Sequence, residues 1–148
     1  ADMFNNATLI VTPYTGTDIG MMNALSMFFK KLGFARLQVA TDAEHDQMIA
    51  YTSQLAHVVS SAYIKSELSP NFKGFSAGSF HDMTRVAKLN ENMWTDLFLE
   101  NKEPLLFEID HLISSLLEYR SAIEENDGEK LRSLLKDGRI AKEKVDGK

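Results

Sequence analysis

Cysteine is absent from this chain of 148 residues. Its absence excludes disulfide bridges and thiolate metal sites, and a reducing cytoplasm is the expected setting. No run approaches the roughly 20 apolar residues that a membrane helix needs, and no signal-peptide pattern is present. We therefore expect a cytoplasmic protein without a membrane partner.

Positive charge is also scarce. The chain has 16 Lys and Arg against 21 Asp and Glu, a formal net charge of −5, and no basic stripe. Nucleic acid is therefore a poor candidate partner. The composition, 44% hydrophobic and 25% charged, is that of a globular domain with a real core. The histidines are too scattered to predict a metal site; they are His45, His57, His81 and His111.

The first forty residues predict a strand–helix–strand unit. Ala7–Thr12 and Ala35–Ala40 have the pattern of short strands, and the apolar stripe between them is typical of a helix. Thr17 or Asp18 is the expected N-cap, and Gly33 the expected stop signal. Two strands do not make an independent sheet. Because the chain also lacks an initiator methionine, we expect it to be a piece of something longer.

After residue 40 the pattern is helical. Thr41-Asp42-Ala43-Glu44 has the form of a capping box and predicts a long helix from about His45 to Glu67. A loop is expected over Gly74–Ser79, and a short helix over Asp82–Leu89. We thus predict a mainly α fold preceded by a βαβ unit, with one domain at 1–40 and another at 41–148.

The second half of this region predicts further helices. Asn90 is the expected N-cap of a helix that ends in a break near Asn101, with Pro104 in the first turn of the next. That next helix carries an apolar stripe over Leu105–Ile123, which packs either on its own domain or on another subunit. One short helix is expected before a frayed, basic C-terminal end.

Two groups of polar residues are candidates for a site. On the long helix, Ser53, His57 and Ser61 are spaced four apart, with Gln54 beside them, so they share a face. Such a polar line needs partners or a wet cavity, because a buried unsatisfied group costs roughly 1–3 kcal/mol. The alternative is a histidine that is hydrogen-bonded within the core or exposed.

The second group lies around the Gly-containing loop. Gly78 allows close backbone approach, amides at the start of the following helix favour an anion, and Arg85 can grip a carboxylate bidentately. Asp82, three residues earlier, is placed to hold Arg85. The alternative is a capping Asp beside a surface Arg. Trp94, the only tryptophan, is more typical of a core or an interface than of a ligand-binding wall.

Specific motifs add a family resemblance. They are a His-Asp helix start, Ser-x-Leu-x-His on the long helix, a Gly-containing loop running into Asp-x-Thr-Arg, and Met-Trp-x-Asp-x-Phe-Leu-x-Asn. In this order and spacing they closely resemble the prephenate dehydrogenase family of tyrosine biosynthesis, over roughly Asp2 to Arg120. The resemblance implies a Rossmann domain that binds NAD, followed by a helical domain of the 6-phosphogluconate-dehydrogenase C-terminal type.

The resemblance also implies an activity and a division of labour. The family oxidises prephenate with NAD and releases CO2, giving 4-hydroxyphenylpyruvate. The helical domain would bind the substrate and form a homodimer, while the 1–40 unit would be the tail of the NAD-binding domain. No Gly-x-Gly-x-x-Gly turn is present, and the general base is expected upstream of Ala1. The chain alone is therefore expected to be inactive, with no catalytic or cofactor-binding residues of its own.

Several residues match the family's substrate contacts. Arg85 matches the arginine that holds a substrate carboxylate, and His57 a histidine that reaches the same pocket. Asp82 matches the orienting acid. Gly78, Met93 and Trp94 match positions that line the site, often from the partner subunit.

The chain departs from the family pattern at two places. It reads Ser53-Gln54-Leu55-Ala56-His57 where the family often has Ser-His-Leu-Pro-His, so a titratable group and a helix irregularity are expected to be lost. The loop reads Ser76-Ala77-Gly78-Ser79 instead of a glycine run, so its backbone is expected to be more restricted. Arogenate dehydrogenase, or a non-catalytic helical dimerisation or ligand-sensing module, remain as alternative functions.

Overall fold

A computed structural model describes residues 4–75 and 78–147. It divides into two compact units, Ala1–Leu105 and Leu106–Lys148. The predicted restriction at residues 76 and 77 falls outside the described part of the chain. The predicted domain boundary after residue 40 concerns the domains of a longer protein and stays a prediction.

The first unit opens with the predicted βαβ arrangement. Strand β1 is Thr8–Val11, helix α1 is Ile19–Lys31 and strand β2 is Arg36–Val39. The two strands pair in parallel, with Thr8 opposite Arg36 and Val11 opposite Val39. A parallel pair needs a crossover connection, and α1 supplies it.

Local signals explain the ends of α1. The Asp18 carboxylate accepts a hydrogen bond from the Met21 amide at 2.9 Å, so Asp18 is the N-cap. Gly33 has φ +102°, a left-handed conformation that glycine adopts without a Cβ penalty. Lys30 and Lys31 lie in the last turn, where positive charge complements the helix dipole.

The long central helix is interrupted, which differs from the prediction. It begins at Asp42, three residues before the predicted start at His45. It ends at Tyr63, four residues before the predicted end at Glu67. It comprises α2 (Asp42–Ile49), a π-helical turn (Ala50–Gln54) and α3 (Leu55–Tyr63). The expected loss of a helix irregularity was therefore wrong, because an irregularity is present without proline.

The capping box at the start of α2 is confirmed. The Thr41 side chain accepts from the Glu44 amide at 3.2 Å, and the Glu44 carboxylate accepts from the Thr41 amide at 2.8 Å. Its hydrogen bonds from the Thr41 backbone and side chain lower the pKa of Glu44, since they favour the charged form. The box fixes the point at which the chain leaves β2 and becomes helical.

Shorter elements follow α3. A 3₁₀ turn at Ser69–Asn71 precedes α4 (Gly78–Thr84), which continues as a 3₁₀ turn at Arg85–Ala87. The helix predicted over Asp82–Leu89 thus begins four residues earlier and ends two residues earlier. Helix α5 is Glu91–Glu100, and its predicted N-cap is confirmed, because Asn90 accepts from the amides of residues 92 and 93.

The break near Asn101 is also confirmed. Asn101 is the C-cap of α5, and α6 (Lys102–Glu124) begins directly after it with Pro104 in its first turn. Helix α7 is Gly128–Val145. The expected short helix with a frayed end was wrong: Asp127 caps α7, and Arg139–Glu143 and Lys142–Asp146 pairs extend its last turns.

The apolar side chains of α6 differ in their exposure. Leu105 and Ala122 are buried, and Ile109 and Leu112 are partly buried. Other large apolar side chains of α6 are between 43% and 67% exposed; they are Leu106, Phe107, Ile113, Leu116, Leu117 and Ile123. None of the helices formed by residues 4–75 and 78–147 has both the length and the apolarity to cross a bilayer.

The lowered pKa of Glu44 makes a prediction about acid stability. Because the folded value lies below the unfolded one, the stabilisation is complete above the unfolded pKa and is lost as pH falls through the folded pKa. We expect Glu44→Gln to destabilise the chain most at neutral pH and progressively less as the pH falls through the range in which this carboxylate takes up its proton. Urea unfolding followed by circular dichroism at several pH values measures this.

The control is Glu67→Gln, which removes an exposed carboxylate that lies outside the helices. A Glu44→Gln penalty that stays constant across the pH range would contradict the assignment.

Candidate functional site

His57 is held by the backbone of the 3₁₀ turn. Its Nδ1 lies 3.0 Å from the carbonyl oxygen of Val86. A carbonyl only accepts, so Nδ1 carries the proton and donates. Nε2 is then the nitrogen that remains for other contacts. Because Val86 follows Arg85 directly, this bond brings the imidazole and the arginine's backbone into the same neighbourhood.

Trp94 covers one face of this imidazole. The two ring centroids are 3.8 Å apart, with 36° between the ring planes, and Phe98 lies 5.4 Å from Trp94 on its own helix. Trp94 is half-buried on α5 and His57 half-buried on α3. The structure thus brings together two of the predicted site residues.

Both ends of the Gln54 side-chain amide form hydrogen bonds within the chain. It is 4% exposed, its Nε2 donates to the Leu97 carbonyl at 3.0 Å, and its Oε1 accepts from Asn101 Nδ2 at 2.8 Å. A buried amide with both ends satisfied has little capacity left for a ligand. Its hydrogen bonds join the π-helical turn to α5, and its supporting role in the site stays a prediction.

Arg85 begins the 3₁₀ turn and is exposed. Among residues 4–75 and 78–147, no carboxylate lies within ion-pair distance of its guanidinium. The suggested pairing with Asp82 is absent from this part of the chain. Instead, an ideal Cβ at Gly78 would lie 4.0 Å from Asp82 Oδ2, so this carboxylate lies near the start of α4. There the helix dipole favours negative charge.

The other predicted site residues have different surroundings. Gly78 is the first residue of α4 and is exposed, while Met93 on α5 is 49% exposed. Ser53 lies in the π-helical turn and is partly buried. The placement of these residues against a ligand stays a prediction.

A cavity of about 690 Å³ lies at the far end of α3. Its walls are mixed: the aromatic Tyr63, Phe72, Phe75 and Phe80 lie beside serine, asparagine and leucine side chains. His57 and Arg85 do not line it. This cavity is therefore not the pocket that His57 and Arg85 are expected to share, and that pocket stays a prediction.

Sequence reasoning missed two polar residues. Asn101 Nδ2 donates to the Asp46 carbonyl at 2.9 Å as well as to Gln54. Ser60 is 2% exposed, and its hydroxyl has no hydrogen-bond partner among the described residues. The Asn at the end of the Leu-x-Asn motif was a signal for the first. Nothing in the sequence distinguished Ser60 from its neighbouring serine.

Comparison with known families decides what this arrangement belongs to. Residues 41–137 match the family described as "Prephenate dehydrogenase, dimerization domain". The chain belongs to this family. Its matched segment starts at the capping box of α2 and includes both His57 and Arg85.

Curated relatives give the same result. A cyclohexadienyl dehydrogenase of Zymomonas mobilis is 33% identical over 96% of this chain and 50% of its own length. A prephenate dehydrogenase of Bacillus subtilis is 31% identical over 87% of this chain and 36% of its own length. The chain thus spans about half, or less, of the length of these relatives.

Solved structures extend the match to the fold. A prephenate dehydrogenase of Aquifex aeolicus, in complex with hydroxyphenyl propionate and NAD⁺, gives a TM-score of 0.76 at 28% identity over 92% of this chain and 49% of that one. An arogenate dehydrogenase of Synechocystis gives 0.80 at 24% identity over 97% and 54%. The predicted mainly helical fold of the prephenate dehydrogenase family is confirmed.

The bond between His57 and Val86 predicts a stability effect. His57→Phe keeps a ring against Trp94 but removes the donor, so we expect a loss of about 1 kcal/mol in the free energy of unfolding. Urea titration followed by Trp94 fluorescence measures it. His111→Phe, a change at an exposed position of α6, is the control, and equal stability of the two variants would contradict the role assigned to the hydrogen bond.

Proposed function

We propose that this chain is the substrate-binding and dimerisation part of an NAD-dependent prephenate dehydrogenase. The observation that carries the proposal is the hydrogen bond between His57 and Val86, which places the family-matched imidazole beside the segment that begins with family-matched Arg85. Membership of the family over 41–137 supplies the substrate class.

The chemistry of the substrate suits these two residues. Prephenate carries two carboxylates, and an exposed arginine with no carboxylate partner in the described chain is available to one of them. A guanidinium binds a carboxylate through two parallel hydrogen bonds, which fix orientation as well as affinity. His57 would contribute through Nε2, since Nδ1 is already engaged by Val86.

The chain's contribution to catalysis would be positioning and charge matching. NAD, when bound to the complete enzyme, supplies the acceptor for the hydride that leaves the ring alcohol as CO2 is released. The sequence has no Gly-x-Gly-x-x-Gly turn, and we assign none of its residues to NAD. The 148-residue chain alone should therefore not oxidise prephenate.

Replacing Arg85 tests the proposal in the full-length enzyme. Arg85→Ala should lower kcat/KM for prephenate roughly 30- to 1000-fold. This corresponds to a loss of about 2–4 kcal/mol in transition-state binding. Arg85→Lys should retain part of the activity, because it keeps the charge without the planar fork. Steady-state kinetics with prephenate and NAD measure both variants.

The matched control is Arg132→Ala, which removes an exposed arginine from α7. Unchanged kinetics in Arg85→Ala would favour the alternative of a non-catalytic dimerisation or ligand-sensing module.

Arogenate dehydrogenase is a second candidate function. Arogenate has an amine where prephenate has a ketone, and the solved arogenate dehydrogenase of Synechocystis has the same fold. Both substrates carry the carboxylate that Arg85 would bind, so this residue does not discriminate between them. The ratio of kcat/KM for the two substrates on the full-length enzyme decides the preference.

We further propose a homodimer that uses the apolar face of α6 where it is exposed, in the C-terminal half of the helix. Leu116, 57% exposed, and Ile123, 62% exposed, are one heptad apart on this face, and exposed apolar surface of this kind is typical of interfaces. Leu116→Lys should therefore convert the dimer to a monomer at micromolar concentration, as measured by light scattering.

Ser114→Lys adds the same charge two residues away, about 200° round the helix, and should leave the dimer intact. A monomeric unsubstituted protein, or a Leu116→Lys dimer, would contradict this interface.

A further inference from the structure

Two contacts one turn apart define how α3 and α5 pack. Gln54 Nε2 donates to the Leu97 carbonyl, and His57 stacks against Trp94. His57 comes three residues after Gln54, whereas Trp94 comes three residues before Leu97. Residue numbers that rise on one helix while they fall on the other indicate an antiparallel pair. The stack and the amide contact are therefore two points of one helix–helix seam.

Asn101 closes the end of this seam. Its Nδ2 donates to the Asp46 carbonyl at 2.9 Å and to Gln54 Oε1 at 2.8 Å, so one amide joins α2 and the π-helical turn to the C-terminus of α5. These bonds span 55 and 47 residues of sequence. They fix the long-range register and not only a local turn.

The place of these bonds explains why the register needs fixing. The π-helical turn has more residues per turn than an α-helix. The side chains of α2 are therefore rotated, relative to α3, from the directions that an uninterrupted α-helix would give them. Gln54, the last residue of that turn, is buried, and its amide orients by hydrogen bonding to Leu97 and Asn101. Leaving this buried amide without partners would be destabilising, so the arrangement that satisfies both of its ends is favoured over alternatives.

We propose that Asn101 is a positioning residue of the substrate site, acting through Gln54 to set the contact between His57 and Trp94. The hydrogen bonds of Asn101 go to Asp46 and Gln54 and not to either ring. Its Nδ2 donates to a backbone carbonyl oxygen and to an amide oxygen. Neither acceptor titrates, so these two hydrogen bonds do not depend on pH. The proposal deepens the proposed function and depends on it only for the consequence to substrate turnover.

The first experiment needs no activity. Trp94 is the only tryptophan, so the fluorescence of the 148-residue chain reports its surroundings directly. His57→Leu defines the signal of a lost stack. Asn101→Asp removes both donors at nearly constant shape, and its emission intensity and maximum should move most of the way to those of His57→Leu.

Controls separate a register change from unfolding. Asn23→Asp makes the same substitution at an exposed position of α1 and should leave the emission unchanged. Far-ultraviolet circular dichroism measures whether each variant keeps the helix content of the unsubstituted chain. If Asn101→Asp fails to fold, Asn101→Ala takes its place in the experiment, because it removes the donors without adding a charge. Emission that stays at the unsubstituted value in a folded Asn101 variant overturns the proposal.

The second experiment links the register to turnover. In the full-length enzyme, Asn101→Asp should lower kcat/KM for prephenate by about tenfold to a hundredfold, as small misplacements of binding groups do. An enzyme in which the tryptophan signal moves but kcat/KM does not overturns the positioning role. If the unsubstituted enzyme does not oxidise prephenate, the proposed function fails, while the fluorescence result still decides the register.

Discussion

The hydrogen bond from His57 to the Val86 carbonyl is the constraint on which the site depends. Because the acceptor belongs to the main chain, it is present whatever side chain stands at residue 86, and it assigns the proton to Nδ1. The bond also ties the middle of α3 to the 3₁₀ turn that starts at Arg85. One imidazole thereby sets its own orientation and the position of the cationic segment.

Packing around this bond is aromatic and directional. Trp94 lies against the imidazole, and Phe98 lies against Trp94, so three rings form a continuous contact across α3 and α5. Rings of this size contribute a large buried area and prefer particular relative geometries. The polar requirement at Nδ1 and the apolar requirement of the ring faces are met together, which explains why a half-buried histidine is tolerated here.

Sequence patterns located most elements because their signals are local. Asp18, Thr41 and Asn90 cap helices through bonds to amides two or three residues away, so their side chains alone were sufficient. The π-helical turn was missed because its hydrogen-bond pattern has no comparable residue signature, and Gln54 is satisfied by residues more than forty positions away. Helix α7 was underestimated because its last turns are held by ion pairs and not by an apolar stripe.

The candidate site was predictable to a different extent. Family motifs identified His57, Trp94 and Arg85, and the first two do meet in space. The expected ion pair of Arg85 with Asp82 is not formed within the described residues, because sequence spacing places Asp82 near Arg85 without fixing which way the carboxylate turns. It lies towards Gly78. What an exposed guanidinium binds is determined by other molecules, so no pattern within the chain specifies it.

The π-helical turn has a consequence for how this helix tolerates insertions and deletions. A π turn amounts to one extra residue accommodated within an α-helix, and each α-helical residue accounts for about 100° of rotation. Deleting one residue from Ala50–Gln54 would let the helix run straight, and the capping box and the rest of α2 would keep their facing relative to His57. The same deletion within α2 or α3 would instead rotate one part of the helix by about 100° relative to the other, whereas after Tyr63 it would only alter a loop.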